Sequence, residues 1–307
     1  GPASCRATRT ETLREIRRRI ASITKISQVT DAMRMVATAK LRRAQQAIEA
    51  NRPYANKFNR ILTQLVSVLE DASAISHPLL ETRSVQKVCI VAVSADRGLC
   101  GSFNANTIRT TSQRVQHYQQ QEVEVDLICV GRRLADFFRR RETNVMAEYI
   151  NIFNQLGFET ATELSSQISE MYSSAKVDLV EIIYNDFRSA ILQVVQTEQL
   201  LPLEEISAES PAGPTEATTV LEYLSEPTQA EILQHILPKH LNAQMWKVLL
   251  DSNAAEHAAR MTAMENATQN AKDIIEELVL QRNRARQTLI TKEVAEIVGG
   301  AEASGSG

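Results

Sequence analysis

The sequence predicts an α/β fold in which a long antiparallel coiled coil of N- and C-terminal helices carries an inserted Rossmann-like α/β domain. Helical periodicity at each end of the 307 residues and a run of short apolar segments between them are the observations that predict it. In the stretch 226–298, Leu241, Met245, Val248, Ala255, Ala259, Ala263, Ala267, Ala271, Ile274 and Leu278 recur mostly at three- and four-residue steps. A helix of that length is roughly 105 Å long at about 1.5 Å per residue, and such a rod needs a partner helix. Only Pro238 interrupts it.

Residues 10–75 supply that partner. Leu13, Ile16, Ile20, Ile23, Ile26, Val29, Met33, Val36, Leu41, Ala44 and Ile48 form a narrow seam of coiled-coil type, flanked by Arg14, Arg17, Arg18, Lys25, Arg34, Arg42 and Arg43. Pro53 lacks the N–H that a helix needs there, so a break or kink is expected. Towards the other end of the chain, Gln281, Arg282, Asn283, Arg284, Arg286, Gln287, Thr288, Thr291, Lys292 and Glu293 make the last part of the C-terminal helix polar on most of its surface. A helix of that kind is either unstable alone or enclosed by something else.

Residues 85–203 read as strands alternating with helices, hence a mostly parallel sheet covered on both faces. Strands are expected over 85–94, 123–131, 145–150, 177–185 and 189–197. Helices are expected over 103–120, 132–141 and 160–174, and the last two strands form an edge hairpin turning at 186–188. The stretch 204–225 opens rich in Pro, Ser, Thr, Glu and Gly and reads as a linker loop, and 226–298 is the second coiled-coil helix.

A hydrophobic content of 43% with 23% charged residues rules out a disordered tail. No apolar run approaches the ~20 residues that cross a bilayer, so membrane association is expected through partners and not by direct insertion. Residues 1–60 hold 14 Lys and Arg against 4 Asp and Glu, which leaves 20 against 33 for the remainder. That asymmetry points to an acidic partner or to packing of the basic helix on the acidic half. Cys5, Cys89, Cys100 and Cys129 have neither CxxC nor metal-ligand spacing and fit a reducing compartment.

Three short patterns invite chemistry. The turn after the first strand carries only Gly98 and Gly101, lacking both GxGxxG and the lysine-bearing phosphate loop, so no nucleotide cofactor is expected. Cys100 sits where an α/β thiol hydrolase would place its nucleophile, but Ser102 stands where that elbow needs its second glycine. His77, His117, His235, His240 and His257 form no obvious base partner. The basic run Arg17–Arg19 with Arg42 and Arg43 offers phosphate contacts for a coiled-coil nucleic-acid binder, yet no aromatic residue is interleaved with it before Tyr54.

Several long, separated segments carry a family resemblance. KISQVTDAMRMVATAKLRRAQ at 25–45, SADRGLCGSF at 94–103, TEQLLP at 197–202, EHAARMTAMENA at 256–267 and NRARQTLITKEVAEIVGG at 283–300 closely resemble the gamma subunit of F-type, rotary ATP synthases. The resemblance implies a central rotor shaft that couples ion-driven rotation of a membrane ring to conformational change, and so to ATP synthesis or hydrolysis, in a catalytic head. It implies no active site, cofactor or metal on this chain. The implied partners are the alpha and beta catalytic-head subunits, an epsilon/delta-type central-stalk subunit and the membrane c-ring, with no nucleic acid. By the same resemblance, Arg286, Gln287 and Thr291 match positions that hydrogen-bond a catch loop of the head, and Lys25, Met33, Met35 and Arg42 match an N-terminal helix facing it. Tyr223, Glu226 and the loop around Cys100 match the foot near the ring. Residues 204–219 contain no cysteine, so the thiol switch of chloroplast members is not expected. The implied location is peripheral, on the inner face of an energy-coupling membrane. A bacterial plasma membrane is preferred over a mitochondrion or chloroplast, because the start lacks a transit-segment layout.

Overall fold

The computed structural model describes residues 12–68, 77–141, 143–203 and 229–305. Helix α1 spans Leu13–Val68. It begins at Leu13 because Thr12 and Glu15 form a capping box: the Glu15 carboxylate accepts from Thr12 N at 2.8 Å and Glu15 N donates to Thr12 Oγ1 at 3.4 Å. Helix α5 spans Gln229–Gly305. Neither proline ends its helix: α1 runs through Pro53 and α5 through Pro238. Each removes one i→i−4 hydrogen bond, and helices of 56 and 77 residues carry that local cost of about 3 kcal/mol without breaking.

The chain divides into two compact units, one of Gly1–Val36 with Met261–Gly307 and one of Ala37–Arg260. In the first, α1 and α5 meet where Thr30 and Thr268 share a 2.8 Å hydrogen bond between hydroxyls, with Ile16, Met264, Ala271 and Leu278 buried. In the second, the Phe58 and His240 rings stack at 5.9 Å, and Lys40 lies close enough to Glu256 and His257 to act on both. Rising number on α1 therefore meets falling number on α5, which is the antiparallel sense expected.

The buried seam of α1 differs from the expected one in its middle. Among the buried and half-buried positions, Ile16, Ile20, Ile23, Ser27, Thr30, Arg34, Ala37, Leu41 and Ala44 form an unbroken alternation of four and three, with Asp31, Met33 and Thr38 half-buried beside it. The expected seam drifts onto Ile26, Val29 and Val36, yet these are 53%, 59% and 58% exposed. Heptad geometry, and not local hydrophobicity, sets which residues face the partner helix, so small and polar Ser27 and Thr30 sit inside while a second apolar stripe faces out.

In the Ala37–Arg260 unit a five-stranded sheet has the order β3-β2-β1-β4-β5. Strands β1 (Lys87–Val93), β2 (Glu124–Val130), β3 (Asn144–Tyr149) and β4 (Leu179–Phe187) are parallel, and β5 (Gln193–Leu201) closes one edge antiparallel to β4. Helices α2 (Phe103–Gln120), α3 (Arg132–Phe138) and α4 (Phe158–Ser173) connect them. Alternation along β1 splits the core in two. Cys89, Val91 and Val93 face α4 and the Leu237–Leu249 part of α5, whereas Val88, Ile90 and Ala92 face α2 and α3.

The hairpin turn lies beyond the expected 186–188. Ser189 closes it instead, with its hydroxyl accepting from Leu192 N at 3.0 Å and its N–H donating to Leu192 O at 3.1 Å, which moves β5 towards 201. Helix α2 is stapled to β4 by a buried charge: Glu181 accepts from the Arg114 guanidinium and from Tyr118 Oη at 2.7 Å.

Candidate functional site

At the end of α5 the site residues suggested by resemblance lie on one face. Arg286, Gln287 and Thr291 are all exposed. At roughly 100° per residue, they share an arc of about 140° with Ile290, Val294, Ile297 and Val298. These four aliphatics are 51%, 54%, 70% and 52% exposed. The spacing i, i+4, i+7, i+8 adds an apolar stripe to this mostly polar helix end, beside the polar residues that the resemblance assigns to head contact. The Thr291 hydroxyl donates to Gln287 O at 2.9 Å, so it meets a partner as an acceptor.

On α1 of the same unit the pattern repeats. Lys25 is exposed, Met33 half-buried and Met35 55% exposed, and Ile26, Val29 and Val36 lie beside them. Arg42 is exposed in the other unit. Tyr223 and Glu226 lie outside the described residues, as do the expected linker loop and Cys5.

The carboxyl ends of the parallel strands form a second candidate position. Chain order reverses between β1 and β4, and in open α/β sheets the crevice outside such a switch point is where ligands bind. Here the chain itself packs at that edge: Ala255 and Ala259 of α5 lie against Ala95, Cys100, Phe103 and Phe187. Cys100 is buried within this contact. Its thiol stands 3.1 Å from Asn104 Nδ2, and burial pushes its pKa up. The charged groups acting on it are Arg260 and Glu256, not an imidazole, so it lacks the activated thiolate a hydrolase needs. A partner touching this turn meets Leu99, which is 63% exposed, and not the Cys100 side chain.

The loops around this edge are tied together. Asp96 Oδ1 accepts from Arg132 N at 3.0 Å and Asn151 N at 2.9 Å, and Ala95 N donates to Asn104 Oδ1 at 3.0 Å. Gly131, at φ +97°, passes against the Ser94 carbonyl. Among the described residues no group of three or more His, Cys, Asp or Glu is placed to hold a metal ion.

Helix α5 buries Asp251, Glu256 and His257 in the Ala37–Arg260 unit, with His240 half-buried on the same helix. His240 and His257 are each lowered to about 4 by burial, with the nearby cations Arg260 and Lys40 adding to the effect at His257, and both Nδ1 atoms lack a hydrogen-bond partner. Asp251 is raised to about 6 by burial, opposed by Lys247 and reinforced by Asp186 and Glu198 of the hairpin.

The two effects have opposite signs. A histidine lowered from 6.5 contributes stability fully present above 6.5 and lost as pH falls to about 4, roughly 3 kcal/mol each. An aspartate raised from 3.8 contributes stability present below 3.8 and lost as pH rises to about 6, again roughly 3 kcal/mol. Asp251→Asn should therefore stabilise the unit by about 1–3 kcal/mol at pH 7.5 and change little at pH 4. Fluorescence of Trp246, the single tryptophan, which packs on this core, reads the transition.

Comparison with known proteins agrees with the geometry along the whole chain. The ATP synthase family model (ATP-synt) matches residues 12–303. The ATP synthase gamma chain of Chloroherpeton thalassium is 45% identical over 300 residues, covering 95% of this chain and 98% of that one. That of Chlorobaculum tepidum is 46% identical over 297 residues, with 95% and 98% covered. Among solved structures, a chain of the central stalk and c-ring structure of the Tetrahymena thermophila mitochondrial ATP synthase is similar at a TM-score of 0.57 and 26% identity, over 78% of this chain and 99% of that one. A chain of the Euglena gracilis mitochondrial ATP synthase shares the fold at a TM-score of 0.62 and 21% identity, over 95% and 94%. Paired terminal helices, a sheet whose carboxyl edge packs against its own C-terminal helix, and near-complete coverage by these relatives lead to one conclusion: the chain belongs to the ATP synthase gamma-chain family.

Proposed function

We propose that this gamma chain works as the rotor shaft of an F-type ATP synthase by presenting an asymmetric, partly apolar helical surface to the catalytic head while carrying no active site of its own. One observation carries the reading. Exposed aliphatic stripes, Ile26, Val29 and Val36 on α1 and Ile290, Val294 and Ile297 on α5, run beside the residues assigned to head contact. Contiguous exposed apolar surface on a soluble protein marks a place that a partner covers.

Within that reading, Arg286, Gln287 and Thr291 meet a loop of a catalytic subunit, and Lys25, Met33, Met35 and Arg42 face the same head. Tyr223 and Glu226 reach the membrane c-ring, an epsilon/delta-type subunit completes the stalk, and the alpha and beta subunits hold the nucleotides. No helix among the described residues is long and apolar enough to cross a membrane, which fits a peripheral subunit on the inner face of an energy-coupling membrane. The bacterial identity of the relatives supports a plasma membrane. Turning an asymmetric shaft exchanges the faces shown to equivalent sites. Driving one site from 1:99 to 99:1 needs about 5.5 kcal/mol of differential contact energy, a scale that a few charged hydrogen bonds and aliphatic contacts supply.

Co-expression with alpha and beta head subunits, the remaining stalk subunit and the membrane sector tests this. The chain should co-purify with the head, and ATP-driven proton uptake into inverted vesicles should depend on it. Uptake that is equal with and without the chain would defeat the reading.

A further inference from the structure

We propose that Glu256 and Arg260, together with the backbone of Gly98, form a register key that fixes the rotational setting of α5 against the carboxyl edge of the sheet, so that torque crosses between them without slip. The proposal rests on the rotor reading above and names positioning residues for it. Arg260 Nη1 donates to Glu256 Oε1 at 2.7 Å, and Nη2 donates to Gly98 O at 3.3 Å. Both side chains are nearly enclosed, at 12% and 9% exposure.

Packing at this contact does not define a rotation by itself. Ala254, Ala255 and Ala258 are all fully buried, and together with Ala259 they spread over about 140° of the helix at roughly 100° per residue. Of these, Ala255 and Ala259 meet the edge, where methyl groups permit close approach but give little grip of their own, whereas the large side chains that seat α5, Leu237 to Leu249, lie earlier on the helix. Directional hydrogen bonds do distinguish settings. An arginine held by a carboxylate one turn away and by one fixed carbonyl satisfies both at a single angle.

The receiving loop is built to stay still. Asp96 ties it to Arg132 and Asn151, Asn104 donates to Arg97 O at 3.1 Å, and the Arg133 guanidinium lies against Gly98. A buried ion pair is weak evidence for stability, because desolvation offsets most of its Coulomb energy, and its best-attested use is to set register. That distinction makes the proposal testable, since apolar replacement of the whole pair leaves stability similar or higher while removing the key.

Membrane complexes carrying Glu256→Met with Arg260→Met, and separately Glu256→Gln with Arg260→Gln, are compared with wild type and with Arg260→Lys. For each, ATP hydrolysis, proton uptake per ATP hydrolysed and the Trp246 unfolding midpoint of the chain are measured. The key predicts that both double variants keep the midpoint and continue to hydrolyse ATP while uptake per ATP falls severalfold. Arg260→Lys, which keeps the charge but loses the fork, should fall in between. Unchanged uptake per ATP in both double variants would overturn the proposal, as would uptake lost only in step with the unfolding midpoint. Failure of the rotor reading looks different, because the wild-type complex itself would then not require the chain for uptake.

Discussion

Replacing Gly131 by alanine should destabilise the Ala37–Arg260 unit by about 3–5 kcal/mol, which for a unit of this size lowers the Trp246 unfolding midpoint by roughly 10 °C. Two costs add. The backbone at φ +97° and ψ 139° lies where L-residues are rarely found, and that alone costs about 1–3 kcal/mol. A methyl group there would also press on the Ser94 carbonyl, standing 2.7 Å from its carbon, and the obstacle is backbone in the central strand's exit and cannot rotate away. Ser94 N is itself bonded to Val130 O at 2.8 Å, and Gly131 N to Tyr149 O at 2.8 Å, so three strand ends would have to shift together. Gly157→Ala is the control. Its φ of −121° suits any residue, and its new methyl would meet only the flexible Glu159 carboxylate at 3.1 Å, so its midpoint should stay within a few degrees of wild type. Equal midpoints for the two variants would show that the approach of β2 to the Ser94 carbonyl is not a tight constraint.

The same strand ends show which parts of the fold are legible in the sequence. Period-two apolar runs and Gly-bearing turns place β1, β2 and α2 almost residue for residue, because a parallel strand buried on both faces must be continuously apolar and a helix must start where the turn ends. The seam of α1 is less legible. Ile26, Val29 and Val36 are more hydrophobic than Ser27 and Thr30, and only the heptad alternation puts the polar pair inside. The Glu181 staple to Arg114 joins residues 67 apart, and nothing in the run VEIIY around Glu181 names its partner. The Glu256–Arg260 pair is readable as an ordinary i,i+4 helix pair, but its hydrogen bond to Gly98 appears only when the sheet's carboxyl edge is seen to pack against α5. Arg286, Gln287 and Thr291 are proposed for head contact by resemblance, whereas the aliphatic stripe beside them is available from spacing alone.

That stripe sets the other large expectation. A chain ended at Arg282 should fold as well as the full chain yet slow ATP-driven proton uptake of the assembled enzyme on the order of tenfold. Folding should be spared because the removed residues bury little: Leu289, Ile290, Val294, Ile297 and Val298 are 46–70% exposed, and among the described side chains the last buried one on the helix is Leu278. Their transfer energy is therefore not spent within this chain. It becomes available only when a partner covers them, at about 25 cal/mol for each Å² of apolar surface removed from water. Loss of the Arg286, Gln287 and Thr291 contacts adds about 1.5–3 kcal/mol for a single charged hydrogen bond, and 1.4 kcal/mol is already tenfold in rate. The pair of measurements separates the two roles a helix end can play. An unfolding midpoint lowered by the truncation would mean that residues 283–307 stabilise the chain itself. Unchanged midpoint with unchanged uptake would remove these residues from the coupling path, and the weight would pass to Lys25, Met33 and Met35 on α1, beside which a second apolar stripe is already exposed.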